Sequence, residues 1–405
     1  MAIRFRARLT RTAMVCSVAL IGALVLSAPV AAHGFGHHRV YVSPNGSADN
    51  SGTSCQHAKY SSINDGIAAA PDHGTVIVCR GTYTETAAVN KPITLEGHHA
   101  VIDATGLNNG VLITSSWAKV ERLTVKNAIG EGILAMGTPG TPGTPITHVT
   151  IQRNKVLNND QGGPDSGYAE CAPFGEVPGD CGEGIHLMVV ANSTVRQNVV
   201  QGNSGGILLT DEFGPTYGNK IVLNLIQNNA YDCGITLAGH GLGWDVAGQA
   251  TSPATGGVYD NLIRGNVVRR NGLLGEGAGV LMAAAWEGAA VYDNHVDHNY
   301  IMGNNLAGVT IHSHPASATN PVGGYVGGNM ITHNLIGQNN VGGDPDAGVS
   351  DTTGILVYSS GQATTVTISH NVIFRNHFGI WLSPTTVSAS MNHNVFLHDD
   401  INVGP

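Results

Sequence analysis

Carboxylates and imidazoles follow apolar, strand-like runs at several places in the second half of this sequence. The run 205–210 ends in Asp211 and Glu212, and the run "DCGITLAG" (232–239) ends in His240. A third run, "AGVTIHSHP" (307–315), carries two histidines at its end. Carboxyl and imidazole groups act as general acids and bases, and two imidazoles one residue apart on a strand can chelate zinc or copper. The pattern predicts proton-transfer or metal-binding chemistry.

The runs share a register when the glycine that opens each strand is taken as position zero. Apolar residues then occupy positions +1 and +3, and the even positions point away from the core. Coils of a parallel solenoid stack about 4.8 Å apart, so position +6 forms one outward column. We therefore expect one cleft to contain Asp211, Glu212, His240, His312 and His314.

Further candidates lie in the same strands and in the long loops beside them. Insertions at about 160–181, 241–258, 313–327 and 340–353 are rich in Gly, Pro, Ser and Asp, and loops this long are usually functional. We expect the first two to roof the cleft. The catalytic candidates are Asp211, Glu212, His240, Asp232 and His186. The substrate-binding candidates are Tyr358, Trp381 and Trp244, and the metal-binding candidates are His312, His314 and Glu276.

Asparagines recur in pairs five residues apart, and they indicate the scaffold that positions these side chains. The segments "NVVQGN" (198–203) and "NLIQNN" (224–229) are typical. A unit of roughly 22–26 residues is too short for a β-α-β unit and too rich in β-branched residues for helical repeats. It fits one coil of a parallel β-solenoid. The asparagines would lie at bends in left-handed backbone, and their amides would bond to the coils above and below.

The start of the chain has the features of a solenoid cap. The segment "YSSINDGIAAA" (60–70) predicts an amphipathic helix with a serine N-cap, and "GTVIVCRGTY" (74–83) and "KPITLEG" (91–97) follow it. This order resembles the capped N-terminus of the pectin-lyase-like superfamily. The resemblance implies an all-β chain: a single right-handed parallel β-helix over 41–405 with a short N-terminal capping helix. The superfamily includes polysaccharide lyases, polygalacturonases, uronate epimerases, phage tailspikes and a periplasmic protein that helps to mature a copper enzyme.

Two members of that superfamily offer partial matches to the candidate site. Gly239-His240-Gly241 resembles the G-H-G of polygalacturonases, and Asp211-Glu212 is similar to their paired aspartates, but their N-T-D and R-x-K segments are not visible. Pectate lyases use Arg or Lys with calcium, whereas few cations fall on these strands. A divalent metal ion held by Asp211, Glu212 or Asp232 would substitute, with His240 or Tyr358 as the base. The expected ion is calcium, or zinc or copper at the histidine pair.

The N-terminus predicts export. A basic segment with four arginines, an apolar run and Val30-Ala31-Ala32 are typical of a secretory signal peptide over 1–32, and a flexible His-rich tail would follow over 33–40. The chain carries 19 Lys+Arg against 28 Asp+Glu, and removal of the signal would make it more acidic. This balance argues against nucleic acid as a partner, and no other segment predicts membrane insertion. We expect a secreted monomer.

Cysteine spacing in an exported chain predicts disulfides. The candidate pairs are Cys55 with Cys79 and Cys171 with Cys181, which leaves Cys233 as a buried free thiol, although sequence alone does not decide the pairing.

The function expected is a secreted carbohydrate-active enzyme that cleaves glycosidic bonds of an extended polysaccharide, as a lyase or a glycoside hydrolase. The alternatives are a copper- or zinc-binding β-helix protein and a non-catalytic carbohydrate-binding or structural solenoid. The sugar and the linkage do not follow from the sequence.

Overall fold

The structure is a computed structural model that describes residues 38–46, 51–140, 142–159, 183–240, 256–275, 277–284, 288–313, 323–344, 348–359 and 361–405. Within these residues the chain forms short strands almost throughout, with one α-helix, α1 (Ile63–Ala69), and one 3-10 turn (Cys55–His57). In the same residues, no helix reaches the length and apolarity that a membrane crossing requires.

The strands are numbered in chain order. The first half of the chain contains β1 (Arg39–Val42), β2 (Thr75–Val78), β3 (Gly81–Tyr83), β4 (Ala87–Val89), β5 (Thr94–Gly97), β6 (Ala100–Asp103), β7 (Val111–Ile113), β8 (Lys119–Glu121), β9 (Thr124–Lys126), β10 (Ile133–Met136), β11 (Ile146–Thr147), β12 (Thr150–Gln152), β13 (Lys155–Leu157), β14 (Glu183–Met188), β15 (Val190–Ala191), β16 (Thr194–Arg196) and β17 (Val199–Gln201). The second half contains β18 (Gly205–Thr210), β19 (Thr216–Tyr217), β20 (Lys220–Val222), β21 (Leu225–Gln227), β22 (Ile235–Gly239), β23 (Val258–Tyr259), β24 (Leu262–Arg264), β25 (Val267–Arg269), β26 (Val280–Ala284), β27 (Val291–Tyr292), β28 (His295–Asp297), β29 (Tyr300–Met302), β30 (Val309–Ser313), β31 (Asn329–Thr332), β32 (Leu335–Gly337), β33 (Thr353–Ser359), β34 (Thr364–Ser369), β35 (Val372–Phe374), β36 (Phe378–Leu382), β37 (Val387–Asn392), β38 (Val395–Leu397) and β39 (Ile401–Gly404).

These strands stack into four sheets along the solenoid. Sheet 1 has the order β1-β2-β5-β8-β12-β16-β20-β24-β28-β31-β34-β37, and sheet 2 has the order β3-β6-β9-β13-β17-β21-β25-β29-β32-β35-β38. Sheet 3 has the order β4-β7-β10-β14-β18-β22-β26-β30-β33-β36-β39, and the short sheet 4 has the order β11-β15-β19-β23-β27. Neighbours in each sheet come from successive coils and run parallel. This arrangement confirms the predicted all-β parallel helix.

The core follows the predicted register. On sheet 3, the inward positions +1 and +3 hold Ile207 and Leu209 on β18 and Ile235 and Leu237 on β22, and none is more than 1% exposed. Burial of each such side chain contributes about 1.5–3 kcal/mol. Because every coil repeats the pattern, the core extends as one apolar column through the solenoid.

Asparagine ladders connect the coils, as predicted. In one ladder, the side-chain oxygen of each asparagine accepts hydrogen bonds from both the backbone and the side-chain nitrogen of the asparagine one coil earlier, as Asn224 does for Asn198 and Asn266 does for Asn224. The sequence predicted left-handed backbone at the ladder asparagines themselves, but it lies one residue earlier. The left-handed residue precedes the ladder asparagine, as at Leu223 (φ 57) and His298 (φ 55). This offset lets the exposed residue make the bend while the asparagine amide stays in the interior.

The N-terminal cap also matches its prediction. The Ser62 hydroxyl accepts from the Asn64 N–H at 3.1 Å, and the Glu85 carboxylate accepts from the Ile63 N–H at 2.7 Å, so the first turn of α1 has its donors satisfied. The predicted Cys55–Cys79 disulfide is present, with the two Cα atoms 5.6 Å apart.

Other expectations from the ends and the loops are tested in part. Cys233 is a buried free thiol, as predicted, whereas Cys171 and Cys181 lie outside the described residues, as does the signal segment 1–32. Strand β1 begins at Arg39, so the last two residues of the expected tail 33–40 already belong to the solenoid.

Candidate functional site

The outer face of sheet 3 carries the candidate residues, and some of them are buried. The predicted register holds as far as position +4, where Thr210 pairs with Ala238, Ala283 with His312, and His312 with Tyr358. Outward-facing Thr236 and His312 are only 4% and 5% exposed. The described strands of this sheet contain no Lys or Arg, so its polar chemistry rests on carboxyl, imidazole and hydroxyl groups.

Glu212 and His240 form a carboxylate–imidazole pair just beyond the ends of β18 and β22. The Glu212 Oε1 atom lies 3.4 Å from His240 Nδ1, and the two side chains are 7% and 13% exposed. Both residues were predicted at position +6 on adjacent coils, and the structure brings them together there. Catalytic hydrogen bonds in free enzymes are often long, and they tighten when substrate binds.

Asp211 holds the backbone of this pair in place. Its side chain is fully buried, and Oδ1 accepts a hydrogen bond of 2.7 Å from the backbone N–H of His240. The Asp211 carbonyl also accepts from the Gly214 N–H and closes the turn that follows β18. Asp211 therefore ties the two strand ends together and fixes the backbone from which the imidazole projects.

His186 belongs to a different group, earlier on the same face. Its Nδ1 atom is 3.0 Å from Glu131 Oε1, and its Nε2 atom is 2.9 Å from Thr210 Oγ1. All three side chains are buried, with exposures of 5%, 2% and 0% for His186, Glu131 and Thr210. The sequence prediction placed His186 among the catalytic candidates but missed Glu131.

A repeated motif would have revealed Glu131. The segment Gly130-Glu131-Gly132-Ile133 has the same four residues as Gly182-Glu183-Gly184-Ile185. In the structure, Ile133 pairs with Ile185, so the two glutamates occupy equivalent places on adjacent coils. The glycines that define the register in the sequence begin with Gly184, so Glu131, which precedes Gly132, was not a candidate.

The Asp232 side chain lies near that of Glu183, and Gly205 lies between them. A side-chain carbon at Gly205 would lie 2.9 Å from Glu183 Oε1 and 3.1 Å from Asp232 Oδ2, so both carboxyl groups border the space above this glycine. The Thr236 hydroxyl donates to Asp232 at 3.1 Å. Burial raises the pKa of Asp232, against the lowering effect of its hydrogen bonds. Asp232 therefore joins the His186 group, which we call the Glu131–Asp232 cluster (Glu131, Glu183, His186 and Asp232).

His312 does not join either group. It lies on β30, three strands from β18 in sheet 3, with Nε2 3.6 Å from Asp344 Oδ2. The Tyr358 ring meets it edge-on, with ring centroids 5.7 Å apart. In sheet 3, β26 lies between β22 and β30, so His312 lies two strands from the strand that ends before His240, and its described contacts are with Asp344 and Tyr358. Asp344 also lines a cavity of about 450 Å³, and glycines make up half of its lining.

The remaining candidates have packing partners or lie outside the described residues. Trp381 and Tyr358 pack against a small apolar cluster that includes Leu356. His314, Glu276 and Trp244 fall outside the described residues.

Comparisons with known proteins agree with this architecture. Residues 105–324 match the family model described as a right-handed beta helix region. A search of curated proteins found no similar sequence.

Among solved structures, a lacto-N-biosidase from Eubacterium ramulus aligns with a TM-score of 0.48 at 13% identity over 89% of this chain and 68% of its own. An alginate lyase from Paenibacillus aligns with a TM-score of 0.45 at 11% identity over 90% of this chain and 99% of its own. A mannuronan C-5 epimerase module from Azotobacter vinelandii aligns with a TM-score of 0.43 at 17% identity, over 82% and 88%. The family match spans more than half of the sequence, and the chain belongs to the right-handed parallel β-helix family.

Proposed function

We propose that this protein is a carbohydrate-active enzyme in which Glu212 and His240 transfer protons during cleavage of an extended polysaccharide. The observation that carries the proposal is the contact of 3.4 Å between a carboxylate and an imidazole, both nearly buried, on a sheet face whose described strands contain no Lys or Arg. Water exclusion strengthens electrostatic interactions at such a place. A long face of stacked strands also suits an extended chain of sugars.

The geometry supports separate roles for the two groups. The imidazole is the more exposed of the pair, at 13% against 7% for the carboxylate. In the active tautomer, Glu212 accepts a hydrogen bond from the Nδ1–H group of His240, which leaves Nε2 with a lone pair for a substrate proton. Asp211 is a positioning residue, because its carboxylate holds the His240 backbone.

This division favours proton abstraction next to a uronate carboxyl group over hydrolysis by two carboxylates. Hydrolysis requires two carboxyl groups that flank the scissile bond, but Asp211 is fully buried and bonded to the backbone. In the elimination, His240 takes the proton from C5, a double bond forms between C4 and C5, and the C4–oxygen bond breaks. The departing oxygen then takes up a proton.

The test is turnover on a panel of acidic and neutral polysaccharides, followed both by new reducing ends and by the ultraviolet absorbance of unsaturated uronates. We expect both signals to rise together with the wild-type protein. Glu212→Gln and His240→Asn should each lower kcat by roughly 10²–10⁴-fold, the usual contribution of general acid–base catalysis.

A matched control is Glu121→Gln on sheet 1. Glu121 is 5% exposed and Glu212 is 6% exposed, so the two substitutions remove equally buried carboxylates. We expect Glu121→Gln to keep its turnover. If reducing ends appeared without unsaturated uronates, the reaction would be hydrolysis and not elimination. Neither signal on any glycan, or full turnover in Glu212→Gln, would refute the proposed function.

A further inference from the structure

The Glu131–Asp232 cluster concentrates negative charge in the interior. Glu131, Glu183 and Asp232 are 2%, 0% and 4% exposed, and they come from three coils of sheet 3. One imidazole, that of His186, contacts the cluster.

Buried carboxylates must be neutralised by protons, by basic groups or by a metal ion. The carboxyl groups of Glu183 and Asp232 lie close together in this shielded place, and both border the space above Gly205. A divalent cation would neutralise the group without adding a basic side chain.

The distances within the cluster suit a metal ion. Glu131, Glu183 and His186 each offer one ligand atom, and these atoms all lie within 4.8 Å of one another. Two ligands bound about 2.1 Å from one ion lie about 3.0–3.4 Å apart, and His186 Nδ1 is 3.0 Å from Glu131 Oε1. Within the described residues, the second oxygen of Glu131 is buried and accepts no hydrogen bond.

The surroundings of His186 would fix the tautomer that a metal requires. Its Nε2 atom lies 2.9 Å from the Thr210 hydroxyl, which can accept a hydrogen bond from the Nε2–H group. The Nδ1 lone pair then points toward the glutamates. A partner that orients the second nitrogen of a ligating imidazole is usual in metal sites. Gly205 leaves open the space between Glu183 and Asp232, which a side chain would fill.

We propose that Glu131, Glu183 and His186 bind one divalent transition-metal ion, with Asp232 beside it and Thr210 as the partner that orients His186. The mixed nitrogen and oxygen ligands fit zinc or manganese better than calcium, which prefers oxygen alone. The ion would join β10 to β14 and, through Thr210, to β18. The proposal does not depend on the reaction assigned to Glu212 and His240.

The test measures metal binding directly. The full-length secreted protein is stripped with a chelator, desalted, and titrated with zinc, manganese or calcium. Bound metal per chain is measured by elemental analysis, and affinity by competition with a chromophoric chelator. We expect wild-type protein to bind one zinc or manganese ion per chain. Glu183→Gln should weaken binding by at least about 100-fold, and Thr210→Val by about 10–100-fold, as loss of an orienting partner usually does.

Two variants distinguish this site from others that contain histidine. Asp297→Asn alters a more exposed group in which Asp297 contacts His298 and His333, and Asp344→Asn alters the His312 pair. Both should keep the tight site. Circular dichroism checks that each variant folds. Gly205→Ala is a further variant, which perturbs the same cluster without removing a ligand. Loss of the metal in Asp297→Asn or Asp344→Asn, unchanged affinity in Glu183→Gln, binding of calcium alone, or no binding by wild-type protein would each overturn the proposal.

Discussion

The asparagine ladder makes a quantitative prediction at Asn266. Its side-chain oxygen accepts from the backbone N–H of Asn224 at 2.9 Å and from the Asn224 amide at 3.0 Å. Its own amide donates to the Ile221 carbonyl at 2.8 Å and to the Asn299 oxygen at 2.9 Å. Asn266 is 1% exposed and Asn224 is 2% exposed, so water has little access to either.

Asn266→Ala removes all four of these hydrogen bonds. The buried Asn224 N–H loses its acceptor, which costs about 1–3 kcal/mol, and each of the other three bonds contributes about 1 kcal/mol. The free energy of unfolding should therefore fall by about 4–6 kcal/mol. Equilibrium unfolding in guanidinium chloride, followed by far-ultraviolet circular dichroism, measures the change.

Gln227→Ala is the matched control. Gln227 also links neighbouring coils through its amide, because it donates to Gln201 at 2.8 Å and accepts from Arg269 at 2.9 Å. It lies nearer the surface, where water replaces lost partners, so its loss should cost within about 0.5 kcal/mol. Equal destabilisation by the two substitutions would refute the reasoning that buried hydrogen bonds stabilise the coil stack more than exposed ones do.

Two further predictions concern the N-terminal part of the solenoid. Replacing Cys55 and Cys79 together by serine should lower the free energy of unfolding by about 3.5 kcal/mol, because the disulfide closes a loop with a sequence separation of 24; an unchanged thermal transition would contradict this. Burial tends to raise the pKa of Glu121, but hydrogen bonds from Lys119 and Gln152 lower it overall. The carboxylate therefore stabilises the fold above its unfolded-state pKa, and this contribution is lost as pH falls through the lower folded-state pKa. Thermal melts should show Glu121→Gln less stable than wild type at pH 7 and equal to it in acid; a difference that grows on acidification would be inconsistent with the lowered pKa.

Sequence alone was enough for the architecture and for contacts that the coil repeat imposes. The glycine-led register predicted the inward Ile207 and Leu209, the asparagine spacing predicted the ladders, and the same counting brought Glu212 next to His240. These features repeat in every coil, so a pattern along the chain translates directly into neighbours one coil apart.

Only the tertiary structure decided which polar groups meet where the repeat is interrupted. His186 contacts Glu131 across 55 residues of chain, Asp232 reaches Glu183 over Gly205, and His312 pairs with Asp344 instead of joining Glu212. Coils of unequal length separate these residues in sequence, and Glu131, Asp232 and Asp344 lie outside the strands, where the strand period does not determine the direction of a side chain. Their partners therefore depend on how whole coils stack, which is a property of the folded solenoid and not of any one segment.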